Sequence, residues 1–286
     1  MLLTTQRVKM SDTSDLPLEQ WVTLEYQDRI AIITINRPDK LNALPKDGFY
    51  RITQCLREIE AHDEVLVTLL TGKGRFFCAG ADVSISRKTP PGVDVWRHGL
   101  RETVANNLNN TQAFYSHPKI LVTALNGPVV GIAAALISFS DFIYCVPHTY
   151  LLTPFSSLGL ISEGGASVGF IRRMGVAKAN EALLTSRRLQ AKDLEACGFI
   201  NKIFDCGKGE DERFRELVLD HIRDTMGDHL VASSLIETKA IVTASMRREI
   251  DSSMVAELFG GLKRTALGIP QKEFEKIRTG AKRHKL

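Results

Sequence analysis

The hydrophobic positions of the chain form two patterns that succeed each other along its length. Unbroken runs of apolar, largely β-branched residues are typical of strands buried on both faces. Such runs lie at Val65–Leu70, Ile120–Leu125 and Phe142–Val146. Stretches with helical spacing separate them, at about 46–61, 102–116 and 129–140. Strand, loop, helix and strand in this order predict crossover units and a largely parallel sheet in an α/β fold.

The two ends of the chain depart from this alternation. Val22–Tyr26 and Ile30–Ile35 predict two more strands with a polar turn between them. From about residue 175 the spacing is almost wholly helical, with breaks expected at Gly260-Gly261 and at Gly268-Ile269-Pro270. Residues 1–18 show no periodicity and are predicted to be a flexible tail.

Composition narrows the classes of protein that fit. The 286 residues, 44% hydrophobic and 24% charged, can bury a sizeable core. The net charge of +4 suits a polyphosphate ligand such as a nucleotide or CoA, and it also suits ordinary solubility. Five cysteines without a C-x-x-C and seven scattered histidines predict free thiols and no metal site. No apolar segment approaches the ~20 residues that a membrane span needs.

Two glycine-containing turns follow buried strands and could bind an anion. In Cys78-Ala79-Gly80-Ala81-Asp82, small residues let the backbone approach a ligand, and an N–H can donate to an oxygen anion. Asn126-Gly127-Pro128 leads to a helix predicted to start near Gly131, whose free N–H groups carry partial positive charge. A tight turn that merely packs, and a buried helix with small residues for close packing, explain the same residues.

Glu163 is the third candidate and the only acid between Asp141 and Glu181. It lies in an apolar, glycine-flanked stretch, Leu160-Ile161-Ser162-Glu163-Gly164-Gly165. Burial would raise the pKa of its carboxyl towards neutrality, which suits a group that shuttles protons. A helix predicted at 165–173 offers the other interpretation, in which Glu163 is a first-turn acid favoured by the helix dipole.

Taken together, these three segments resemble one family. Phe77-Cys78-Ala79-Gly80-Ala81-Asp82 followed by Asn126-Gly127-Pro128-x-x-Gly131 is similar to the signature pair of the crotonase, or enoyl-CoA hydratase/isomerase, superfamily. The likeness extends from about residue 20 to the C-terminus. It implies an α/β fold with a crotonase-like spiral of ββα units at 19–205, which would hold an acyl-CoA site. It also implies a helical trimerisation region at 206–283.

The resemblance implies that the substrate carbonyl sits between the backbone N–H groups of Ala81 and Ile132. These donors would stabilise a thioester enolate, and removing one such donor typically costs ~10²–10³ in rate. The remaining residues that the resemblance places at the substrate are Lys40, Ala43, Ala79, Gly80, Asp82, Val83 and Lys276, with Asn107 near the base. Plainer interpretations are a helix cap for Asp82, a polar position in an Asn-rich stretch for Asn107, and solvated side chains for the two lysines.

The resemblance also separates the hydratases of the family from its isomerases. Hydratases use two glutamates, and the matching positions here hold Ala135 and Phe155. The context of Glu163 is similar to the base-bearing loop of the peroxisomal Δ3,Δ2-enoyl-CoA isomerases. This implies that Glu163 moves a proton from C2 of a 3-enoyl-CoA to C4 through the enolate. The trans-2-enoyl thioester would form without a cofactor or a metal.

The sequence ends in His284-Lys285-Leu286, which differs from the peroxisomal address Ser-Lys-Leu in its first residue only. Beside an isomerase-type Glu163, it predicts binding to the peroxisomal import receptor and a role in β-oxidation of unsaturated fatty acids in the peroxisomal matrix. The family expectation for assembly is a homotrimer or hexamer. Alternatives are dienoyl-CoA isomerisation, which usually needs a second acid, a non-catalytic CoA-binding protein, and RNA binding, which no clustered basic helix supports.

Overall fold

The structure is a computed structural model that describes residues 17–82 and 89–282. Within these ranges the strands are β1 (Val22–Gln27), β2 (Ile30–Ile35), β3 (Val67–Gly72), β4 (Ile120–Leu125), β5 (Val129–Val130), β6 (Phe142–Cys145), β7 (Tyr150–Leu152), β8 (Leu189–Gln190) and β9 (Lys202–Ile203). The helices are α1 (Leu18–Trp21), α2 (Lys46–Glu60), α3 (Val95–Gly99), α4 (Ala105–Tyr115), α5 (Ile132–Leu136), α6 (Ala166–Thr185), α7 (Ala191–Ala196), α8 (Asp211–Thr225), α9 (Ala232–Ala266) and α10 (Ile269–Arg278).

Six of the described strands form one sheet in the order β1-β2-β3-β4-β6-β9. β1 and β2 form an antiparallel hairpin in which Val22 lies opposite Ile35. From β2 onward each neighbouring pair in this sheet is parallel. β5, β7 and β8 form a second sheet, in which β5 and β7 are parallel. The largely parallel sheet predicted from the apolar runs is therefore confirmed.

The central strands are buried on both faces because side chains that alternate along a strand enter two separate cores. Ile33 and Leu70 belong to the core that also contains the apolar face of α2. Ile32 and Leu69, one residue away, belong to the core that contains Phe214 of α8. Every residue of β3 and β4 is buried. Each such Leu or Ile contributes roughly 1.5–3 kcal/mol by leaving water, which explains why these strands carry unalternating apolar runs.

The largely helical region predicted beyond residue 175 is confirmed, with two short strands, β8 and β9, inside it. Two predictions about elements were wrong. The stretch 129–140 is not one helix, because β5 occupies its start and pairs with β7 before α5 begins at Ile132. Gly260-Gly261 does not interrupt α9. A β-carbon on Gly260 would stand 2.4 Å from Cδ1 of Ile161, so glycine here serves close packing of the helix rather than a break.

Some predictions concern residues outside the described ranges. They are the tail up to residue 16, the substrate contact of Val83, and the tripeptide His284-Lys285-Leu286. Leu18, which was predicted to belong to the tail, begins α1. All five cysteines are free thiols, as predicted. No helix in the described part of the chain is both long enough and apolar enough to cross a membrane.

Candidate active site

A cavity of about 530 Å³ lies where the turn after β3, the start of α5, the helix α4 and the C-terminal helices meet. Four predicted catalytic residues line it together: Ala81, Asn107, Ile132 and Glu163. Apolar side chains form much of the remaining wall, including Leu44, Phe49, Leu160, Ile161 and Leu258. A concave, mainly apolar site with a few converging polar groups is typical of a small-molecule site.

Two backbone segments run side by side along one wall of this cavity. The N–H of Val130 donates to the carbonyl of Cys78 at 2.9 Å, and Cys78 and Val129 form an isolated parallel bridge. Gly80 has a φ of +87°, and a β-carbon there would stand 2.8 Å from the carbonyl oxygen of Val130. Glycine is therefore required at 80 by both conformation and space. The close approach brings Ala81, one residue after Gly80, and Ile132, two residues after Val130, to the same part of the cavity.

The amide N–H groups of Ala81 and Ile132 are suited to bind an oxygen anion. Within the described ranges, neither N–H has a backbone or side-chain acceptor. Ile132 is the first residue of α5, where an N–H has no partner inside the helix. Its predecessor Gly131, at a φ of +63°, donates instead to the carbonyl of Leu152 at 2.8 Å, which fixes the direction of the peptide. Two preorganised donors of this kind can stabilise developing negative charge.

Glu163 lies half-buried in the loop between β7 and α6, on the cavity wall. The next residue, Gly164, has a φ of +67° and packs against α5. A β-carbon on Gly164 would stand 3.4 Å from Cγ1 of Ile132 and 2.9 Å from Cβ of Ala135. Glu163 is thus adjacent in sequence to Gly164, which packs against Ile132, the residue that carries the second N–H donor. A carboxylate and an anion-binding pair on one wall can move a proton next to a carbonyl.

The interpretation of Glu163 as a first-turn acid of the following helix was wrong. α6 begins at Ala166, Gly165 is its N-cap, and its first turn contains no acid. The carboxylate at this helix terminus comes instead from Glu257 of α9, which accepts hydrogen bonds from the N–H groups of Gly165 and Ser167 at 2.8 and 3.0 Å. Sequence reasoning missed Glu257, because nothing in the local pattern of α9 indicates which distant loop a buried acid will meet.

Asn107 lies on α4 with its side chain half-buried at the cavity. Its carbonyl accepts a hydrogen bond from Oγ1 of Thr111 at 2.8 Å, which belongs to the helix rather than to the site. The neighbouring Asn110 is buried and accepts from Oγ1 of Thr53 at 2.9 Å. Asn110 therefore anchors α4 to α2, while Asn107 presents an amide to the cavity.

Of the other residues predicted to contact the substrate, some line the cavity and some do not. Asp82 lines the cavity, and its Oδ2 lies 3.5 Å from Nη1 of the buried Arg37. The helix that Asp82 was predicted to cap would begin outside the described residues. Lys40, Ala43, Ala79, Gly80 and Lys276 do not line the cavity. Nζ of Lys276 lies 2.5 Å from Glu273 on the same helix, so at this position the lysine is engaged in an ion pair.

A buried network that the sequence did not reveal holds the loop beside Ala79. Asn42 is fully buried at a φ of +57°, and its Nδ2 donates to the carbonyls of Lys73 and Phe76 at 2.9 and 2.7 Å. Its Oδ1 accepts from the N–H of Arg37 at 2.7 Å, and Arg37 Nη1 donates to the carbonyl of Ala43 at 2.6 Å. Asparagine tolerates this left-handed conformation better than most residues, which is the one local signal for it.

Comparison with known proteins places this geometry in a family. The family model for enoyl-CoA hydratase/isomerase matches residues 25–259, and the chain belongs to that family. It is 54% identical over 275 residues to the Δ(3,5)-Δ(2,4)-dienoyl-CoA isomerase of Pyricularia oryzae, covering 92% of this chain and 98% of that protein. It is 30% identical over 264 residues to the 3,2-trans-enoyl-CoA isomerase of Saccharomyces cerevisiae, covering 89% of this chain and 93% of that protein.

Solved structures agree on the fold. An enoyl-CoA hydratase/isomerase from Pseudoalteromonas atlantica superposes with a TM-score of 0.79 at 21% identity, covering 93% of this chain and all of that one. An enoyl-CoA hydratase from Mycobacterium avium superposes with a TM-score of 0.76 at 22% identity, covering 89% and 98%. The predicted crotonase-like α/β fold is confirmed.

Proposed function

We propose that this chain is an enoyl-CoA isomerase in which Glu163 is the catalytic base. The observation that carries the proposal is the placement of Glu163 on one cavity wall with two N–H groups, those of Ala81 and Ile132, that lack acceptors among the described residues. A thioester oxygen bound by these donors would leave its C2 proton within the same cavity as the carboxylate. Donors aimed at the position where charge develops are worth several kcal/mol in such a site.

The reaction balances as an internal proton transfer. The Glu163 carboxylate takes the C2 proton, the C2–H electron pair moves into the C1–C2 bond, and the thioester oxygen becomes an enolate held by Ala81 and Ile132. The protonated Glu163 returns the proton to C4, and the double bond moves from C3–C4 to C2–C3. No atom or electron is gained or lost, so the proposed step uses no cofactor. Asn107 would orient the carboxyl or a water molecule beside it.

Water addition is disfavoured by the two positions at which hydratases of the family carry acids. The matching residues are Ala135 and Phe155, with relative exposures of 0% and 2%, and both belong to the main core. Neither lines the cavity. The site therefore offers no acid at either of the positions that a hydratase uses, which supports isomerisation.

A second candidate reaction is conversion of a 3,5-dienoyl-CoA to the 2,4-dienoyl isomer. The 54% identical P. oryzae relative bears that name. This reaction shares the first step at C2 but returns the proton at C6, so it usually needs another acid. Besides Glu257, the cavity wall provides two acids that sequence reasoning did not connect with the site, Asp47 and Glu102, the latter 3.3 Å from Lys46. Either acid would be the group to test for proton delivery to C6.

The test is an assay of the purified protein with trans-3-hexenoyl-CoA and with a 3,5-dienoyl-CoA, comparing wild type with Glu163→Gln. Since both reactions begin at C2, Glu163→Gln should lower kcat for either substrate on the order of 10³-fold, with binding of a saturated acyl-CoA retained. The ratio of wild-type kcat/KM values decides between the two substrates. Full activity of Glu163→Gln would overturn the mechanism. CoA binding without turnover of any enoyl-CoA would favour a non-catalytic protein.

We also propose a homo-oligomer, a trimer or a hexamer. Large apolar side chains are exposed on two helices of the described chain: Ile171 and Val176 on α6, and Ile241, Val242, Val255 and Phe259 on α9. Single exposed apolar residues are ordinary, but a set on adjoining helices marks an interaction surface. Light scattering on the purified protein measures the assembly, and a monomer at micromolar concentration would contradict the proposal.

We propose peroxisomal β-oxidation of unsaturated fatty acids as the setting. A mouse relative, 31% identical over 187 residues, is named a peroxisomal enoyl-CoA delta isomerase, and the alignment spans 64% of this chain and 56% of that one. Fluorescent fusions of the full chain, with and without His284-Lys285-Leu286, would test both the compartment and recognition by the import receptor. Equal distribution of the two fusions would remove the proposed role of the tripeptide.

A further inference from the structure

Glu257 is a buried acid on the long helix α9, and the reaction proposed above does not use it. Its relative exposure is 7%, and it reaches the same cavity as Glu163. Within the described ranges it forms no ion pair. A buried carboxylate is costly unless hydrogen bonds satisfy it, and an ordinary helix cap could be supplied by a serine or asparagine of the loop itself.

Three hydrogen bonds from the loop satisfy this carboxylate. Oε1 accepts from Oγ of Ser162 at 2.9 Å and from the N–H of Ser167 at 3.0 Å. Oε2 accepts from the N–H of Gly165 at 2.8 Å. The N–H donors lie at the N-terminus of α6, where the helix dipole favours an anion.

The three donors bracket Glu163 on both sides, one before it and two after it. The backbone between these donors contains two glycines, which restrict its conformation little. Gly164 and Gly165 both occupy the left-handed region, at φ values of +67° and +76°. Glycine pairs allow many conformations. Fixing a loop of this composition therefore requires contacts from outside it, and Glu257 supplies three of them.

Other contacts hold the same loop against the C-terminal helices. The guanidinium of Arg264, on α9, donates to the carbonyl of Gly159. Gly260 packs against Ile161, whose terminal methyl would have to move if residue 260 carried a β-carbon. The loop that carries Glu163 is thus positioned along its length by one face of α9, and Glu257 is the contact closest to the base.

We infer that Glu257 is a positioning residue for the reaction: it holds the 162–167 loop so that Glu163 can serve both carbons of the substrate. The inference rests on the proposed role of Glu163. Transfer of one proton between two carbons is sensitive to the placement of the carboxyl, since a misplacement of about 1 Å can cost on the order of 10²-fold in rate.

Glu257→Gln tests this inference with little change in shape. The N–H groups of Gly165 and Ser167 bind different oxygens, so either orientation of the amide sets its NH₂ against a backbone donor. The matched control is Glu249→Gln. Glu249 is another α9 carboxylate that pairs with α6, through Arg172, but it is exposed and lies outside the cavity. Ser162→Ala is a milder variant that removes one hydrogen bond.

We expect Glu257→Gln to lower kcat on the order of 10–10²-fold, with KM changed less than about threefold. Glu249→Gln should retain the kcat of wild type, and Ser162→Ala should show a smaller loss than Glu257→Gln. In D₂O, Glu257→Gln should raise the deuterium content at the reprotonated carbon, because a misplaced acid returns its proton slowly and exchanges it with solvent first. A role in stability alone would lower the melting temperature without changing this isotope content.

The outcomes separate this inference from the proposed function. If Glu163→Gln is inactive while Glu257→Gln behaves as Glu249→Gln does, the positioning role is overturned and the base remains. A Glu257→Gln variant with raised KM and unchanged kcat would also overturn it. If Glu257→Gln does not fold, unchanged kcat and isotope content in Ser162→Ala decide against it. Full activity of Glu163→Gln would remove the proposed function itself.

Discussion

Gly164 lies against Ala135, so close that a β-carbon added to the glycine would stand 2.9 Å from the β-carbon of the alanine. Such a contact requires one of the two backbones to move. Gly164 also has a φ of +67°, which costs other residue types roughly 1–2 kcal/mol. The contact therefore fixes how near the residue after Glu163 can come to α5.

Gly164→Ala should reduce activity more than its effect on stability explains. Both strain and the contact with Ala135 would push Glu163 away from Ile132, and a shift of about 1 Å can cost on the order of 10²-fold in kcat. The control is Gly209→Ala, at a φ of +86° with no atom within 4 Å of the added carbon. Steady-state kinetics and melting temperatures of both variants test this. Equal kcat values for Gly164→Ala and Gly209→Ala would show that the contact with Ala135 does not position Glu163.

Ala135→Glu should not create a hydratase. Ala135 is fully buried and Gly164 covers it, so a new carboxyl would enter the core or displace the Glu163 loop. An unpaired buried charge costs several kcal/mol, and we expect lower stability together with loss of isomerase activity. Formation of 3-hydroxyacyl-CoA from a trans-2-enoyl-CoA measures any hydration. Ala135→Gln, similar in size but uncharged, separates the effect of charge, and hydration by the Glu variant would contradict the prediction.

Gly261→Leu should shift the preference towards shorter acyl chains. Gly261 lines the cavity, and a β-carbon there meets no atom within 4 Å, so a larger side chain would fill cavity space. Filling the room of one or two methylenes is worth roughly 1–3 kcal/mol, or about 10- to 100-fold in selectivity. The ratio of kcat/KM for 3-decenoyl-CoA and 3-hexenoyl-CoA measures the change. Ala266→Leu, exposed on the same helix, should leave this ratio unaltered.

Stability should fall in mild acid because of His117. Burial, followed by the charges of Lys239 and Lys119, lowers the pKa of this histidine to about 3. Its Nε2 lies 2.8 Å from Oγ1 of Thr68. The unfolded chain binds a proton near pH 6.5 and the folded chain does not, so stability is complete above that pH and declines as the pH falls towards 3.

Because only the unfolded state takes up a proton at His117, the free energy of unfolding should fall by about 1.4 kcal/mol between pH 7.5 and pH 5.5. His117→Gln should unfold with a shallower pH dependence than wild type in urea titrations at the two pH values. The control is His229→Gln, at an exposed position. If the free energies of unfolding of wild type and His117→Gln change equally with pH, the buried imidazole does not cause the loss of stability in acid.

The sheet and half of the candidate site were predictable from the sequence. The apolar runs that became β3 and β4 are buried along their whole length, and such burial requires helices on both faces. Turn residues then follow from strand ends, and the family resemblance assigned Ala81 and Ile132 in two of these turns; both line the cavity. The local pattern made Glu163 a candidate but left a helix-starting acid as the alternative, and the family resemblance, with Ala135 and Phe155 at the hydratase positions, singled it out.

The rest depended on contacts between distant parts of the chain. Gly260 was interpreted as a helix break, yet packing against Ile161 outweighs its low helix propensity. Glu257 lies in a helix whose local pattern resembles any solvated surface, and its partners lie in another element. The two lysines expected at CoA could be proposed only by resemblance, since a flexible side chain carries no spacing signal.

Because α9 forms part of the cavity wall, the cavity is completed only late in the synthesis of the chain. The main sheet and both N–H donors come from residues before 204, whereas Glu257, Leu258 and Gly261 emerge from the ribosome much later. A nascent chain can therefore complete its sheet while the loop of Glu163 is still unanchored. The N–H groups of Ala81 and Ile132 would then be in place before Glu163 is held beside them.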